Sequence, residues 1–257
     1  MKKYLHKLGY SGDLAPSYQL LRDLHRLHQA KIPFENLDIL LNKVPALDDA
    51  SLEAKLLDSA RGGYCFELNL SFARLLRSLG FEVQPRLARV LMLNPDPTQM
   101  PRTHVWLMVK IKSELYLADV GFGAGSVLEP VLLAPSAPFT QDKETFQIKE
   151  LPGPKGLTLL REHRGEMKPL YWMDPSPVYP IDMVQSNFWV ATHAGSRFRQ
   201  GLTLTVYQDQ ERLSQGDLNG AKTGTELAEQ LKSRFGITGL TGSEWDQLHK
   251  RLADMLL

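Results

Sequence analysis

The sequence predicts an α+β protein with a helical segment first, a β-rich segment in the middle and helices again near the carboxyl end. Leucines recur at helical spacing from residue 17 to residue 80, whereas apolar and polar residues alternate from about residue 81 to residue 206. Helical spacing returns after residue 225. With 257 residues, 43% of them hydrophobic, the chain can bury a sizeable core.

The amino-terminal segment, residues 1–80, is predicted to be a small helical bundle. Gly80 follows its last apolar stretch, as expected of a glycine that ends a helix. The apolar residues that define the predicted helices are Leu20, Leu21, Leu24 and Leu27, then Leu52, Leu56 and Leu57, and finally Phe72, Leu75, Leu76 and Leu79.

The central segment, residues 81–190, is predicted to be a barrel or a sandwich of strands. Alternation is clear in "THVWLMVKI" and "ELYLADV", and stretches rich in Pro and Gly, such as "LAPSAP" and "LPGPKG", separate the strands. The remaining segment, residues 191–257, contains the strand-like "LTLTVY" and then two predicted helices, at residues 225–235 and 243–257.

Charge and cysteine content exclude several classes of function. The chain has 30 Lys and Arg residues against 29 Asp and Glu residues, and it lacks the basic track that nucleic-acid binding needs. One cysteine permits no internal disulfide, the amino terminus lacks the apolar run of a signal peptide, and no segment has membrane-spanning length. We therefore expect a cytoplasmic protein with neither a nucleic acid nor a membrane as its partner.

The single cysteine lies in "ARGGYCFELN", residues 60–69. A lone cysteine is most often a small buried apolar residue. Here two glycines relax the backbone just before it, and "CFELNLSFARLLRSLG" continues as an amphipathic helix, so Cys65 is predicted to lie at a helix amino terminus. The unpaired N–H groups there favour a thiolate, the form of cysteine that attacks carbonyl carbons. We interpret Cys65 as a nucleophile.

A cysteine nucleophile needs a base, and His104 is the best candidate among the seven histidines. It starts the predicted strand in "RTHVWLMVKI", on the face shared with Trp106 and Met108, where an imidazole could lie at the edge of a cavity. The other histidines stand in contexts that favour packing, a loop or solvent exposure: His6, His25, His28, His163, His193 and His249.

Asp119 is a candidate for the group that orients this imidazole. It ends the next predicted strand, in "ELYLADVGFG", where an unpaired buried carboxylate would be costly. Two consecutive strands would place it beside His104, although a turn-capping role ahead of "GFG" fits the spacing equally well. The following "GFGAGS" lacks the Lys and the helix of a nucleotide-binding loop, so we interpret it as a glycine turn at the edge of the site.

Together these stretches resemble the arylamine N-acetyltransferase family. The matching pieces occur in the family's order between residue 4 and about residue 198. "RGGYCFELN" combined with "DVGFG" is highly specific for the family. The remaining pieces are "YLHKLGYSG", "LHRLHQAKIPFENLDI", "LGFEVQPRLARV", "THVWLMV", "LADVGFG" and, more faintly, "SNFWVATHAGSRF".

The resemblance implies a helical bundle, a central β-barrel and a carboxyl-terminal α/β lid around a core like that of cysteine proteases and transglutaminases. It implies that Cys65, His104 and Asp119 form a catalytic triad. This triad would transfer an acetyl group from acetyl-CoA to an arylamine, arylhydrazine or N-hydroxyarylamine. The transfer would follow a ping-pong route through an acetyl-cysteine, without a metal.

The resemblance also assigns substrate contacts. It implies that one set of residues lines the acceptor pocket, and ordinary core or turn packing would account for these residues equally well. A second set is implied to contact the coenzyme. The acceptor set is Phe34, Thr103 and Phe122, and the coenzyme set is Gly123, Ser196 and Phe198.

Two departures from the family pattern affect these assignments. "YLHKLGY" has Lys7 where relatives commonly have Arg, and lysine lacks the bidentate fork with which arginine could hold Glu35 of "IPFEN". "HAGSRF" stands where a Ser-Pro-type turn is usual, which changes the lid segment that is expected to contact the coenzyme.

Three other functions are compatible with the same residues. An amide synthase would use this scaffold with a longer acyl chain. A cysteine hydrolase of the transglutaminase type would use the same Cys, His and Asp order, whereas the Cys-Gly-Ser-Cys-Trp signature of papain is missing. A non-catalytic binding module would merely bury Cys65. The acceptor amine and the oligomeric state are left open by the sequence.

Overall fold

The computed structural model describes residues 1–208, 211–218 and 223–256. Within these residues the elements form three groups in chain order. A mostly helical amino-terminal part comes first, a curled sheet of eight strands follows, and a carboxyl part combines a small sheet with helices. The predicted mixture of helix and sheet is confirmed. No helix in the described residues combines the length and the apolar character needed to cross a membrane.

The amino-terminal part is helical because its apolar residues share one face of each helix. Helix α2 starts after Ser17, whose side chain accepts the N–H of Leu20 at 3.2 Å, and this is the usual way to cap a helix. The last helix is followed by Gly80, which has the positive φ of 89° predicted for a terminating glycine. The elements are α1 (Lys2–Leu8), α2 (Tyr18–Lys31), β1 (Phe34–Glu35), α3 (Leu37–Leu40), α4 (Asp49–Glu53), a π-helical turn (Ala54–Asp58) and α5 (Cys65–Ser78).

The middle of the chain forms one curled antiparallel sheet. Its strands are β2 (Glu82–Val90), β3 (Arg102–Ile111), β4 (Glu114–Ala118), β5 (Val131–Leu132), β6 (Phe139–Gln141), β7 (Glu144–Glu150), β8 (Leu157–His163) and β9 (Glu166–Met173). They lie in the order β5-β4-β3-β2-β9-β8-β7-β6. Among the described residues the two outer strands, β5 and β6, are not paired with each other.

The carboxyl part contains the two helices predicted there. Its elements are α6 (Pro180–Thr192), α7 (Arg197–Gln200), β10 (Leu204–Gln208), β11 (Glu211–Ser214), α8 (Gly224–Phe235) and α9 (Gly242–Leu256), and the predicted last residue, Leu257, lies outside the described residues. Strand β10 pairs with β11 and with β1, so a strand from the helical part completes the small sheet. Helix α6 runs across the boundary predicted at residue 190.

Strand β3 separates two apolar cores. Its residues Val105, Leu107 and Val109 point toward the core shared with α2 and α5. Trp106 points to the opposite side, into the core inside the curled sheet. This alternation follows from the two-residue period of a strand. It leaves His104, two residues before Trp106, at the end of the strand nearest to α5.

A cluster of buried charges lies behind the amino end of α5. Arg61 contacts Glu35 at 2.7 Å and Asp38 at 2.9 Å, and Lys55 of the π-helical turn contacts Asp38 and Glu67, each at 2.7 Å. Among the described residues Glu35 therefore pairs with Arg61, and Lys7, whose effect on Glu35 the departure from the family pattern left open, is not one of its ion-pair partners. Burial alone would raise the pKa of Asp38, but the charges of Lys55 and Arg61 lower it to about 2. Burial raises the pKa of Glu67 to about 7.

Gly62 allows β1 to lie against the segment that leads into α5. A Cβ atom on Gly62 would lie 1.9 Å from the carbonyl oxygen of Pro33, far inside van der Waals contact. That segment is held by the Gly63 N–H, which donates to the same oxygen at 3.2 Å. The Glu35 N–H donates back to the Gly63 carbonyl at 2.9 Å. Only glycine fits at position 62 without moving this backbone.

We expect Gly62→Ala to lower the free energy of unfolding by about 2–4 kcal/mol, because the added methyl group must push the Pro33 backbone away. Gly201→Ala is the matched control. Gly201 has extended backbone with a φ of −176° and no atom within 4 Å of its would-be Cβ, so we expect a change of about 0.5 kcal/mol or less. Urea unfolding of both variants measures the difference, and equal stabilities would contradict the close packing described here.

Candidate active site

Cys65 is the first residue of α5, as predicted, and its side chain is buried. The helix starts here because Tyr64 has extended backbone and its N–H donates to the Glu67 carboxylate at 3.1 Å. The thiol donates to the carbonyl oxygen of Thr103 at 3.8 Å. This contact joins the first turn of α5 to the start of β3, where His104 lies.

The predicted preference for a thiolate needs correction. Burial raises the pKa of the Cys65 thiol, and hydrogen bonds from the backbone N–H groups of Val105 and Phe66 only partly oppose this. The helix terminus therefore lowers the pKa of the thiol, as predicted. Removal of the thiol from water raises this pKa by more. A neutral thiol in this position needs a proton acceptor before it can attack a carbonyl carbon.

His104 and Asp119 lie side by side, which is the arrangement predicted from two consecutive strands. The Nε2 atom of His104 is 2.7 Å from Oδ2 of Asp119, and both side chains are buried. Nδ1 is therefore the ring nitrogen that this bond leaves available, and His104 lines the same cavity as Cys65. Phe122 and Tyr171 hold the imidazole in place, with ring centroids 4.8 Å and 4.9 Å from its own.

Four donors surround the Asp119 carboxylate. Besides His104, Oδ2 accepts the hydroxyl of Tyr171 at 2.9 Å, and Oδ1 accepts the Asn69 amide at 2.9 Å and the Gly121 N–H at 3.0 Å. Burial would raise the pKa of Asp119, but the charge and hydrogen bond of His104, together with the hydrogen bonds from Asn69 and Gly121, lower it. The carboxylate thus stays ionised and can stabilise a protonated imidazole.

Three of the residues that support this carboxylate were not predicted from the sequence. Asn69 lies one turn after Cys65 on α5, and Tyr171 comes from β9. The third is His25, whose Nε2 accepts the backbone N–H of Asp119 at 3.0 Å. Burial lowers the pKa of His25 to about 4, so the ring is neutral, and its Nδ1–H donates to the carbonyl of Leu128 at 3.0 Å. The position of Asn69, four residues after Cys65, was a usable signal, since it places both on one helix face.

Cys65 and His104 open into a cavity of about 180 Å³. Five of the six residues predicted to contact substrates line this cavity. The rings of Phe34 and Phe198 lie 5.9 Å apart along one wall. The hydroxyl oxygen of Ser196 is buried and has no hydrogen-bond partner among the described residues. The five lining residues are Phe34, Thr103, Phe122, Ser196 and Phe198.

Gly123, predicted to contact the coenzyme, lies outside this lining. It has a φ of 73° and packs against Phe34, whose ring would lie 3.4 Å from a Cβ at this position. Its carbonyl oxygen accepts the Arg212 guanidinium at 3.3 Å. These contacts give Gly123 a place in the turn that carries Phe122, and we do not include it among the proposed coenzyme contacts.

Comparison with known proteins places the chain in a family. A family model described as N-acetyltransferase matches residues 17–238. The arylamine N-acetyltransferase of Escherichia coli (strain K12) is 38% identical over 204 residues, which cover 79% of this chain and 72% of that protein. The chain belongs to the arylamine N-acetyltransferase family. A member of this family from Mycobacterium bovis is 34% identical, with 98% of this chain and 94% of that protein aligned.

Solved structures of arylamine N-acetyltransferases superpose on almost the whole chain. The Mycobacterium marinum protein matches with a TM-score of 0.87 at 30% identity, covering 98% of this chain and 99% of that one. The same protein in complex with CoA matches with a TM-score of 0.86 at 29% identity, covering 99% and 98%. The helices and the curled sheet of eight strands are thus those of this family, and the chain is an acyltransferase.

The proton acceptor for Cys65 can be tested by the pH dependence of alkylation with iodoacetamide. In His104→Ala the thiol has only its raised pKa, so we expect slow alkylation near neutral pH and a rate that rises about tenfold per pH unit into the alkaline range. In the unmodified protein the imidazole accepts the proton, so the rate should already be high near neutral pH. His163→Ala, an exposed histidine on β8, is the control and should keep the unmodified profile. Coinciding profiles for the unmodified protein and His104→Ala would exclude His104 as the acceptor.

Proposed function

We propose that the protein transfers an acetyl group from acetyl-CoA to an arylamine, an arylhydrazine or an N-hydroxyarylamine through an acetyl-Cys65 intermediate. The observation that carries the proposal is a single buried thiol that lines the same cavity as an imidazole, which a fully hydrogen-bonded carboxylate holds at 2.7 Å. Membership of the arylamine N-acetyltransferase family supports both the donor and the class of acceptor. The solved CoA complex of a relative also supports the donor.

In the first half-reaction the thiol becomes a nucleophile as it attacks. Nδ1 of His104 accepts the Cys65 proton while the sulfur adds to the thioester carbonyl of acetyl-CoA. The bond from the acetyl carbon to the CoA sulfur then breaks, and the protonated imidazole returns its proton to that sulfur. Free CoA leaves, and the acetyl group stays on Cys65. The Asp119 carboxylate stabilises the positive charge that His104 carries during this step.

In the second half-reaction the amine takes the acetyl group. An aromatic amine of low basicity is neutral at pH 7, so its lone pair can attack the acetyl carbon directly. His104 accepts the proton that the amine loses and passes it to the departing sulfur of Cys65, which restores the thiol. Attack by the hydroxyl oxygen of an N-hydroxyarylamine would give the O-acetyl product by the same proton movements.

The residues around the cavity suggest how it divides between the two substrates. Phe34 and Phe122 offer aromatic walls for the ring of the acceptor, since aromatic rings pack well edge to face. Thr103 lines the same cavity, and its carbonyl oxygen accepts the Cys65 thiol. Ser196 and Phe198 line the cavity as well, and we assign them to the coenzyme.

We also infer the finer architecture that the family implies. Residues 1–80 would form the bundle that supplies the thiol, and residues 81–190 the barrel that supplies the imidazole and the carboxylate. Residues 191–257 would form the lid that supplies Ser196 and Phe198. The order of Cys, His and Asp along the chain is also that of cysteine proteases and transglutaminases, which supports a related catalytic core. A measurement of whether each of these three parts unfolds separately tests the proposed division of the chain.

The intermediate is the most direct test of the mechanism. Mixing the protein with acetyl-CoA and no acceptor should add one acetyl group, which peptide mass analysis should locate on Cys65. One equivalent of CoA should be released in the same mixture. Cys65→Ser should remain unmodified and release none. A panel of aromatic amines then identifies acceptors by continued CoA release, and transfer by a protein that never becomes acetylated would contradict the proposal.

Asp119→Asn should lower kcat by about four orders of magnitude, because an amide stabilises the protonated imidazole poorly and can favour the wrong tautomer. The similar shape of the side chain should preserve much of the fold, which urea unfolding can check. Asp96→Asn, an exposed aspartate that caps a short 3-10 turn, is the control and should keep the unmodified rate. Near-normal turnover of Asp119→Asn would return Asp119 to a turn-capping role.

A further inference from the structure

A second groove, of about 640 Å³, lies away from the active-site cavity. One wall comes from the later turns of α5 and from the beginning of β2, and the other comes from the amino end of α6 and the residues before it. Among the residues that the structure describes, the linings of the groove and of the cavity share none. The groove is therefore a separate feature that the acetyl-transfer mechanism does not use.

Three arginines line one wall of this groove, namely Arg74, Arg77 and Arg86. Their hydrogen bonds go mainly to backbone carbonyls. Arg74 donates to Leu47 at 2.6 Å, Arg77 to Val83 at 2.8 Å, and Arg86 to Pro175 at 2.7 Å. A carbonyl oxygen carries no net charge, so these bonds leave the positive charges uncompensated.

The local charge balance leaves one cation in excess. The Arg74 guanidinium contacts the carboxylate of Asp49 at 2.7 Å, and Asp48 lies in the groove lining. Counting these two carboxylates against the three guanidinium groups leaves one positive charge. Neither Arg77 nor Arg86 has a carboxylate partner among the described residues, and both line the groove, so this charge points to an anionic ligand.

The opposite wall is apolar. Met183 is buried against the core, whereas Tyr179 and Val184 are exposed, at 65% and 52% of their full surface. Large apolar side chains that remain open beside a charged wall are typical of a site for a ligand with an apolar body and a polar head. Ile181 and Phe188 of α6 are exposed as well and extend this apolar surface beyond the groove.

We propose that this groove binds an organic monoanion, a carboxylate with an aromatic or aliphatic body. The carboxylate would lie against Arg77 and Arg86, and the body would cover Tyr179, Met183 and Val184. A single negative charge matches the one uncompensated cation. A phosphate dianion would carry more negative charge than this one cation can compensate, and Asp48 would repel it.

Binding can be measured on the full chain with 1-naphthoate as the probe, by calorimetry or by ligand-observed NMR. We expect 1-naphthoate to bind at least about tenfold more tightly than the neutral 1-naphthamide, because charged hydrogen bonds to guanidinium are the stronger ones. The same measurement with 1-naphthyl phosphate distinguishes the two kinds of anion. Tighter binding of the phosphate would overturn the assignment to a monoanion.

Variants locate the site. Arg77→Gln and Arg86→Gln should each weaken 1-naphthoate binding about tenfold, and Val184→Glu, which adds a negative charge at an exposed position, should do the same without removing a guanidinium. Lys149→Gln makes the same charge change on β7, outside the groove lining, and should have no effect. Phe34→Ala changes the active-site cavity and should leave binding unchanged. Binding that depends on Phe34 but not on Arg77, Arg86 or Val184 would overturn the proposal.

Discussion

The buried charge of Asp119 is the constraint on which the rest of the site depends. A carboxylate without access to water is costly unless donors use its lone pairs. Here His104 and Tyr171 serve one oxygen, while Asn69 and the backbone of Gly121 serve the other. These donors come from β3, from β9, from α5 and from the turn after β4. The need to compensate one anion therefore fixes where the sheet and α5 meet, and it positions the imidazole of His104 as a result.

Buried charges also need compensation on the opposite side of α5. Three carboxylates, those of Glu35, Asp38 and Glu67, face two cations, Lys55 and Arg61. One negative charge is thus in excess, and burial raises the pKa of Glu67 to about 7. Because Glu67 also accepts the N–H of Tyr64, this cluster is connected to the turn that presents the thiol.

Local signals made much of this molecule predictable. The glycines before Cys65, the helical spacing after it and the alternation around His104 describe single elements, and each element formed where it was expected. The partners of Asp119 were harder to predict, because Tyr171 and His25 come from distant segments that only the tertiary fold brings together. The state of the thiol was predicted in the wrong direction for a related reason. A helix terminus can be recognised in a sequence, but the depth of burial that outweighs it depends on packing across β3.

The pairing of β1 with β10 has a consequence for the order in which the site can be assembled. Cys65, His104 and Asp119 all lie before residue 120, yet Phe34, which lines the cavity, belongs to a two-residue strand that pairs with Leu204 and Thr205. A strand this short is not stable alone. During synthesis Cys65, His104 and Asp119 therefore leave the ribosome well before β10, the strand that fixes this aromatic wall. The nascent chain carries all three side chains early and gains a defined cavity only when β10 has emerged.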